Sequence, residues 1–304
     1  MMSLVSVESL SKSYREIRAV DDFSFAVDQG EIYALVGPDG AGKTTIIRTL
    51  CGLINPDSGV AMIDGLDCQR KFESIKPILG YMPQVFSLYP DLTVTENLTF
   101  YGGIYGVVGE DYRTRVEYLY RFSNLKPFAD RRAQALSGGM KQKLALSCAL
   151  MHQPRILILD EPTTGVDPLS RRQFWEILLE LKKQGVTIIV STPYMDEVAR
   201  SDRACFVFKG KKLAEGTPAA LPGLFEGSLY FCDCRPTVQT LEALNQVSNV
   251  QARRFGGGIH VYLRKDVTLP DIATELTRAG FDTGGFRPIR PDLEDCFIQL
   301  MEES

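Results

Sequence analysis

Residues Gly37–Thr44, which read Gly-Pro-Asp-Gly-Ala-Gly-Lys-Thr, carry the first pattern in the chain that could do chemistry. It matches G-x-x-x-x-G-K-[ST], in which glycines let backbone N–H groups wrap around phosphates. Lys43 would reach the β- and γ-phosphates of a nucleotide, and the Thr44 hydroxyl would bind Mg²⁺. The pattern therefore predicts a nucleotide-binding loop made of Gly37, Pro38, Asp39, Gly40, Ala41, Gly42, Lys43, Thr44 and Thr45.

Two adjacent carboxylates, Asp160 and Glu161, follow the apolar run Ile156–Leu159. Ligands of parallel sheets bind at the carboxyl ends of strands, where this pair would lie. Successive residues point in different directions, so the two acids would have different tasks. We expect Asp160 to order Mg²⁺ and Glu161 to polarise an attacking water as a general base. With the loop, the pair predicts hydrolysis of a nucleoside triphosphate.

The elements that would position these groups alternate between strand and helix. The patterns predict strands at Ile32–Val36, Ile156–Asp160 and Val186–Val190, and helices at Thr44–Leu50, Met140–Met151 and Pro168–Lys183. Such alternation predicts an α/β fold with a largely parallel sheet. Before Ile32, apolar residues alternate with polar ones, which predicts antiparallel strands. The alternating apolar residues are Val5, Val7, Phe23, Phe25 and Val27.

Two further regions depart from this alternation. In the segment of about residues 85–150, tyrosines and leucines recur every three to four residues, which predicts an inserted helical subdomain. Gly210–Gly227 is rich in Gly, Pro and Ala, so we expect one domain at 1–220 and an accessory domain at 228–304. In the accessory domain the patterns predict strands at Leu229–Cys234, Val250–Phe255 and Ile259–Leu263, and helices at Val238–Val247, Leu269–Ala279 and Leu293–Met301. This order is typical of a small ferredoxin-like α/β domain.

The composition narrows the class of protein. The 304 residues carry a net charge of −4, which does not indicate the basic face of a nucleic-acid-binding protein. Apolar runs of a few residues fall short of the roughly 18 that cross a bilayer, and Met1–Leu10 does not resemble a signal peptide. The odd number of cysteines, 7, indicates free thiols in a reducing, cytoplasmic setting. We expect Cys232 and Cys234 to line one face of a strand rather than bind zinc.

Residues Leu136-Ser-Gly-Gly-Met140, twenty positions before the acidic pair, closely resemble the signature loop of ATP-binding cassette (ABC) ATPases. Gln84, which follows Tyr81-Met-Pro, resembles their Q-loop, and Gly165-Val-Asp-Pro168 resembles their D-loop. Tyr14 stands where the family places an aromatic residue that stacks on adenine. The features occur in the family's order over most of the first 216 residues, so the chain is identified as similar to an ABC ATPase.

The resemblance implies a P-loop NTPase of the ABC type, with a mixed core sheet, an antiparallel β subdomain and a helical subdomain. It also implies ATP and Mg²⁺ as cofactors, with Gln84 joining Thr44 and Asp160 around the metal. Two cassettes would pair head to tail, so that Leu136, Ser137, Gly138, Gly139 and Met140 act on the partner's ATP. Ser137 can also be only the N-cap of a helix. Asp167 would lie on the loop that crosses to the partner.

The run Ser191-Thr-Pro-Tyr-Met-Asp-Glu197 departs from the family pattern Thr-His-x-x-x-Glu. Pro193 stands at the switch-histidine position and has neither a side-chain donor nor an N–H. Loss of one such donor typically slows a reaction about 100- to 1000-fold. We therefore expect this chain's own site to be impaired and favour a heterodimer with a second ABC ATPase, a homodimer being the alternative. Asp39, where asparagine is usual, is a smaller departure.

The stretch Tyr81–Tyr105 and the tail Pro291–Leu300 resemble ATPase subunits of bacterial drug-type exporters, in particular the first cassette of tandem-cassette forms. That implies a separate integral-membrane permease and a place on the cytoplasmic face of the inner membrane. Phe86, Tyr89, Phe100, Tyr101 and Tyr105 either line a groove for the permease or form the core of the helical subdomain. There are two alternatives to a transporter ATPase. One is a soluble ABC ATPase that acts on ribosomes or DNA, and the other is a regulatory module that holds ATP without hydrolysing it.

Overall fold

The strands of the first 219 residues form two sheets in this computed structural model, which describes residues 3–85 and 87–304. They are β1 (Ser3–Tyr14), β2 (Ile17–Asp28), β3 (Ile32–Val36), β4 (Ser58–Ile63), β5 (Leu66–Asp67), β6 (Leu79–Met82), β7 (Ile156–Asp160), β8 (Thr187–Thr192), β9 (Arg203–Phe208) and β10 (Lys211–Gly216). One sheet, in the order β2-β1-β4-β5, is antiparallel. The other, in the order β10-β9-β3-β8-β7-β6, is parallel except for β10. The predicted mixed core sheet and antiparallel sheet are confirmed.

The central strands of the core sheet are buried along their whole length. Every residue of β3, β7 and β8 is buried, as expected for parallel strands covered on both faces. β8 continues two residues beyond the predicted end at Val190 because Ser191 and Thr192 pair with the last residues of β3. Hydropathy ended the predicted strand too early, since these two hydroxyl side chains are buried as well.

The helices of the same unit are α1 (Lys43–Leu50), α2 (Phe72–Ile75), α3 (Val94–Ile104), α4 (Gly109–Ser123), α5 (Gly138–Ala149), α6 (Pro168–Lys183) and α7 (Met195–Val198). α6 has its predicted bounds, with Asp167 as the N-cap and Pro168 in the first turn. α5 begins two residues before the predicted Met140 because the Ser137 hydroxyl caps it, accepting the Met140 N–H at 3.3 Å. Caps therefore fix the start of both helices.

A separate compact unit spans Ala220–Ser304, next to the unit Met1–Ala219 in sequence. It contains β11 (Ser228–Cys232), α8 (Val238–Asn245), β12 (Val250–Phe255), β13 (Gly258–Leu263), α9 (Leu269–Arg278), β14 (Phe286–Pro288) and α10 (Leu293–Glu302). The sheet has the order β12-β13-β11-β14 with antiparallel pairing throughout, and it has a hydrophobic core of its own. The ferredoxin-like assignment stays a prediction.

The expectation that Cys232 and Cys234 share one face of a strand is wrong. β11 ends at Cys232, which pairs with Ile259 and Phe286. The next position on the partner strand is Gly258, the first residue of β13, so the chain beyond Cys232 has little strand left to pair with. Cys234 lies in the following loop, and its Sγ is 2.6 Å from that of Cys232.

Candidate functional site

The loop between β3 and α1 is packed so closely that two of its glycines admit no side chain. Gly42 has φ +109°, and a Cβ there would lie 2.4 Å from the carbonyl oxygen of Ala19. A Cβ on Gly37 would lie 2.1 Å from the carbonyl oxygen of Val207. The backbone therefore enters α1 in a turn that side chains would prevent, and the N–H groups of the first helical turn face the loop.

Lys43 lies inside this turn. Its Nζ donates to the carbonyl oxygens of Gly37 and Pro38, at 2.7 and 3.0 Å. The same Nζ is 3.0 Å from Oε1 of Glu161, and both side chains are buried. A buried ion pair of this kind needs further hydrogen bonds to offset desolvation, and the loop carbonyls supply them. The lysine is thus held where loop and acidic pair meet.

Glu161 follows β7 in a left-handed backbone conformation, with φ +47°. Its Oε2 accepts a hydrogen bond from Nε2 of Gln84 at 2.9 Å and one from the Thr164 hydroxyl at 3.3 Å. A non-glycine residue in this region is uncommon and is often found at functional sites. The carboxylate is therefore fixed by three side chains at the end of the central sheet.

Asp160 is buried at the end of β7 and has one saturated and one unpartnered oxygen. Oδ1 accepts from the hydroxyls of Ser191, at 2.7 Å, and Thr44, at 3.2 Å. Oδ2 is buried and has no hydrogen-bond partner among the described residues. Burial raises the pKa of the Asp160 carboxyl, and the bonds from Ser191 and Thr44 act in the opposite direction. A buried acceptor without a partner, next to a threonine hydroxyl, fits the ligand set that Mg²⁺ prefers.

Of these groups, Lys43, Thr44, Gln84 and Glu161 line one cavity of about 480 Å³, whereas Asp160 is not among its lining residues. Its lining residues are Tyr14, Ala19, Asp39, Gly40, Ala41, Gly42, Lys43, Thr44, Thr45, Gln84 and Glu161. Of the predicted nucleotide-binding residues, only Gly37 and Pro38 are not in this lining, although their carbonyls hold Lys43. Ala19 was not predicted, because an alanine within a strand, here β2, carries no chemical signal.

The signature residues Leu136–Met140 are absent from the described lining of this cavity. Ser137 and Gly138 are exposed at the start of α5, whereas Gly139 is buried. A Cβ on Gly139 would lie 2.6 Å from the Ser170 side chain of α6. At the start of α6, the hydroxyl and backbone of Ser170 both hydrogen-bond to Asp167 and hold the pKa of that carboxyl below its usual range. One chain thus presents its phosphate loop and its signature residues at different places.

Pro193 directly follows a residue that touches the phosphate loop. The carbonyl oxygen of Thr192 is 3.4 Å from the N–H of Gly37. The Thr192 hydroxyl donates to Glu197 Oε2, and the Thr163 hydroxyl donates to Glu197 Oε1, both at 2.7 Å. This buried network links the segment after Glu161 to the segment around Pro193. The family pattern did not predict it, because hydroxyl residues alone have no distinctive signal.

No helix within residues 3–85 and 87–304 combines the length and apolarity needed to cross a bilayer. The same residues contain no cluster of three or more His, Cys, Asp or Glu side chains suited to a metal ion. The candidate ligand for a cation is Asp160, because its buried Oδ2 lacks a partner among the described residues and Thr44 lies beside it.

Comparison with known proteins gives matches over the phosphate loop and the acidic pair. Residues 20–164 match the family model described as "ABC transporter". The chain is 44% identical over 216 residues to the Escherichia coli (strain K12) protein named "Probable multidrug ABC transporter ATP-binding protein YbhF". That match covers 71% of this chain and 37% of YbhF.

Two further matches cover most of the compared protein. The chain is 34% identical over 307 residues to "Nod factor export ATP-binding protein I" of Cupriavidus metallidurans, covering 99% of this chain and 98% of that protein. A dimeric structure of the ATP-binding cassette MJ0796 in a post-hydrolysis state, bound to ADP and Pi, has a TM-score of 0.65 and 26% identity. It covers 70% of this chain and 98% of that one. With the loop, the acidic pair and the core sheet in place, these matches show that the chain belongs to the family of ABC transporter ATP-binding proteins and contains its ATPase domain.

Proposed function

We propose that this chain binds ATP with Mg²⁺ and hydrolyses it to power export through a separate membrane permease. The observation that carries the proposal is the convergence of Lys43, Glu161 and Gln84 on one cavity beside the phosphate loop. Lys43 and the N–H groups of the loop neutralise phosphate charge, and Glu161 accepts a proton from the attacking water. Tyr14, exposed at the cavity, stacks on the adenine.

Thr44 and Asp160 would hold the Mg²⁺, together with Gln84. The unpartnered Oδ2 of Asp160 supports this assignment, because a cation would satisfy it. Bound Mg²⁺ would offset phosphate charge and orient the phosphates. Within the chain, Thr44 anchors Asp160 through Oδ1.

The second half of the ATP site comes from another cassette. The exposed Ser137 and Gly138 at the start of α5 support this, because N–H groups at a helix N-terminus favour phosphate. The dimeric state of the similar MJ0796 cassette supports it too. Pro193 gives this chain's own site no switch donor, so we favour a heterodimer in which its signature residues serve the partner's ATP. In the alternative homodimer, both sites would lack the switch histidine, so Glu161 alone would have to activate the attacking water.

The permease docks on an apolar face of the helical region. Tyr89, Phe100 and Tyr105 each expose more than a third of their surface, and Ile104 exposes 59%. The alternative that these three aromatics are core is therefore wrong, whereas Tyr101 is half-buried and Phe86 lies outside the described residues. We call Tyr89, Phe100, Ile104 and Tyr105 the α3 face. An exposed apolar patch of this kind typically marks an interaction site.

The names of two relatives support a direction and a cargo: one is a probable multidrug ABC transporter protein, and the other is named for Nod factor export. We infer export of a drug or another small amphipathic compound, from a position on the cytoplasmic face of the inner membrane. A soluble ABC ATPase acting on ribosomes or DNA would not need the α3 face. A regulatory module would bind ATP without using Glu161.

Two experiments test the proposal. Lys43→Ala should abolish binding of a fluorescent ATP analogue, whereas the exposed Lys76→Ala should bind like the parent. Equal binding by Lys43→Ala would refute the nucleotide site. Phe100→Glu and Ile104→Glu should lose co-purification with a multi-span membrane protein, while Val238→Glu, more exposed than either and in the other unit, should keep it. Retention by both α3-face variants would contradict the docking assignment.

A further inference from the structure

The hydroxyl of Ser191 lies between the two carboxylate residues at the end of β7. Ser191 is wholly buried in β8 and stands opposite Asp160 in the parallel register. Its Oγ is 2.9 Å from the N–H of Glu161 and 2.7 Å from Oδ1 of Asp160. A backbone N–H can only donate, so Oγ accepts from Glu161 and its single proton goes to Asp160. The bonds therefore have one direction, from Glu161 through Ser191 to Asp160.

The first consequence concerns the orientation of Asp160. Its Oδ1 is held by Ser191 and Thr44, which fixes the rotation of the carboxylate. Oδ2 is then held in one position, where it is buried and has no hydrogen-bond partner within residues 3–85 and 87–304. An unsatisfied buried acceptor is unfavourable, so the arrangement is suited to an incoming cation.

The second consequence concerns the backbone of Glu161. β7 ends at Asp160, and the Glu161 N–H donates to the side chain of Ser191 instead of to the backbone of a neighbouring strand. This bond stabilises the left-handed conformation at φ +47°, which a glutamate rarely adopts. In that conformation the carboxylate contacts Lys43 and Gln84.

We propose that Ser191 is a positioning residue that aims Asp160 at the Mg²⁺ and Glu161 at the attacking water. It touches neither ligand and acts only through these two carboxylate residues. The inference rests on the proposed function, because it assumes that Asp160 binds the cation of a bound nucleotide. Removing a residue that hydrogen-bonds to a metal ligand typically lowers metal affinity or activity about 10- to 100-fold.

The test measures Mn²⁺ binding to the full-length protein in the presence of ADP, followed by electron paramagnetic resonance of free Mn²⁺. Ser191→Ala should weaken Mn²⁺ binding about tenfold or more, because Asp160 loses the bond that orients it. Ser191→Thr keeps the hydroxyl and should restore binding. Ser191→Cys keeps the volume with a weaker donor and should lie between them. Because it preserves packing, it serves as the second variant should Ser191→Ala fail to fold.

The matched control is Ser147→Ala, another buried serine, whose hydroxyl bonds to the Lys143 carbonyl within α5. It should bind Mn²⁺ like the parent, and all four variants should bind ADP like the parent in EDTA. Parental Mn²⁺ binding by Ser191→Ala or Ser191→Cys, or loss of binding by Ser191→Thr, would overturn the inference. Failure of the parent itself to bind ADP would instead overturn the proposed function.

Discussion

Gln84 donates a hydrogen bond of 2.9 Å from Nε2 to Oε2 of Glu161, across 77 positions of sequence. Gln84 follows β6 and Glu161 follows β7, and these two strands are parallel neighbours, so their carboxyl ends meet at one edge of the sheet. Beyond Gln84 the chain continues to Tyr89 and α3. One side chain, that of Gln84, therefore joins Glu161 to the segment that leads toward the α3 face.

Replacing Glu161 with glutamine is expected to lower ATP hydrolysis about 100- to 10,000-fold, because an amide cannot accept the proton of the attacking water. ATP binding should stay near the parental value, since Lys43 keeps the carbonyl oxygens of Gly37 and Pro38 as partners. Phosphate release and nucleotide binding would be measured in parallel, with the exposed Glu110→Gln as control. Unchanged hydrolysis in the complex with the partner cassette would favour the regulatory module.

Restoring the family's residue with Pro193→His should raise the ATPase rate of the lone chain. Removing one positioned donor costs about 100- to 1000-fold, so adding one to a site that already holds Glu161 should give a rise of at least tenfold. Thr192 and Glu197 are bonded to each other and should hold the segment in place. Steady-state phosphate release would measure the change.

Pro193→Ala separates the new donor from the release of the proline constraint, because alanine frees the backbone without adding a donor. It should leave the rate near that of the parent. A rise as large as that of Pro193→His, or no rise in either variant, would contradict the assignment of Pro193 as the cause of impairment.

Tyr14→Ala should weaken ATP binding by roughly 1–3 kcal/mol, which is typical for loss of one aromatic ring stacked on a base. Tyr14 ends β1, lines the cavity and exposes 44% of its surface, so little of the folded core depends on its ring. Tyr14→Phe keeps a stacking face and should bind like the parent. Inorganic triphosphate, which has no base, should bind equally well to the parent and to both variants. Weaker triphosphate binding by Tyr14→Ala would show a damaged phosphate loop.

The sequence was sufficient to predict those parts of the site whose residues are neighbours in the chain. The phosphate loop, the acidic pair and the bounds of α6 each follow from neighbouring residues with distinctive types, such as Lys43 between glycine and threonine or Pro168 after an N-cap aspartate. Hydropathy also predicted the central strands, because parallel strands buried on both faces are apolar runs.

The rest of the site depends on residues whose types are ordinary and whose partners are far away in sequence. Ser191 stood outside the predicted strand because a hydroxyl ends an apolar run, yet it binds both carboxylate residues. Ala19 limits the loop through its carbonyl oxygen, which no side-chain pattern reveals. Only the pairing of β7 with β8, and the approach of β2 to the loop, bring these atoms to the site.

The two signature glycines should respond differently to alanine. A Cβ on Gly139 would lie 2.6 Å from Ser170, so Gly139→Ala must push α5 away from α6. Overpacking of this kind typically costs about 1–3 kcal/mol, or roughly 2–4 °C of melting temperature per kcal/mol in a domain of this size. At Gly138 the nearest described atom is the Gly165 carbonyl oxygen at 3.7 Å, an ordinary contact.

Gly138→Ala should therefore melt at or slightly above the parental temperature, since alanine favours a helix. Its effect should instead appear in a complex with the second cassette, as a lower ATPase rate, because in the proposed dimer the added methyl group would face the partner's phosphate. Thermal unfolding of each chain and phosphate release by the complex separate the two roles. Equal melting temperatures for both variants would contradict the packing of Gly139, and a fully active complex containing Gly138→Ala would contradict the action of the signature residues on the partner.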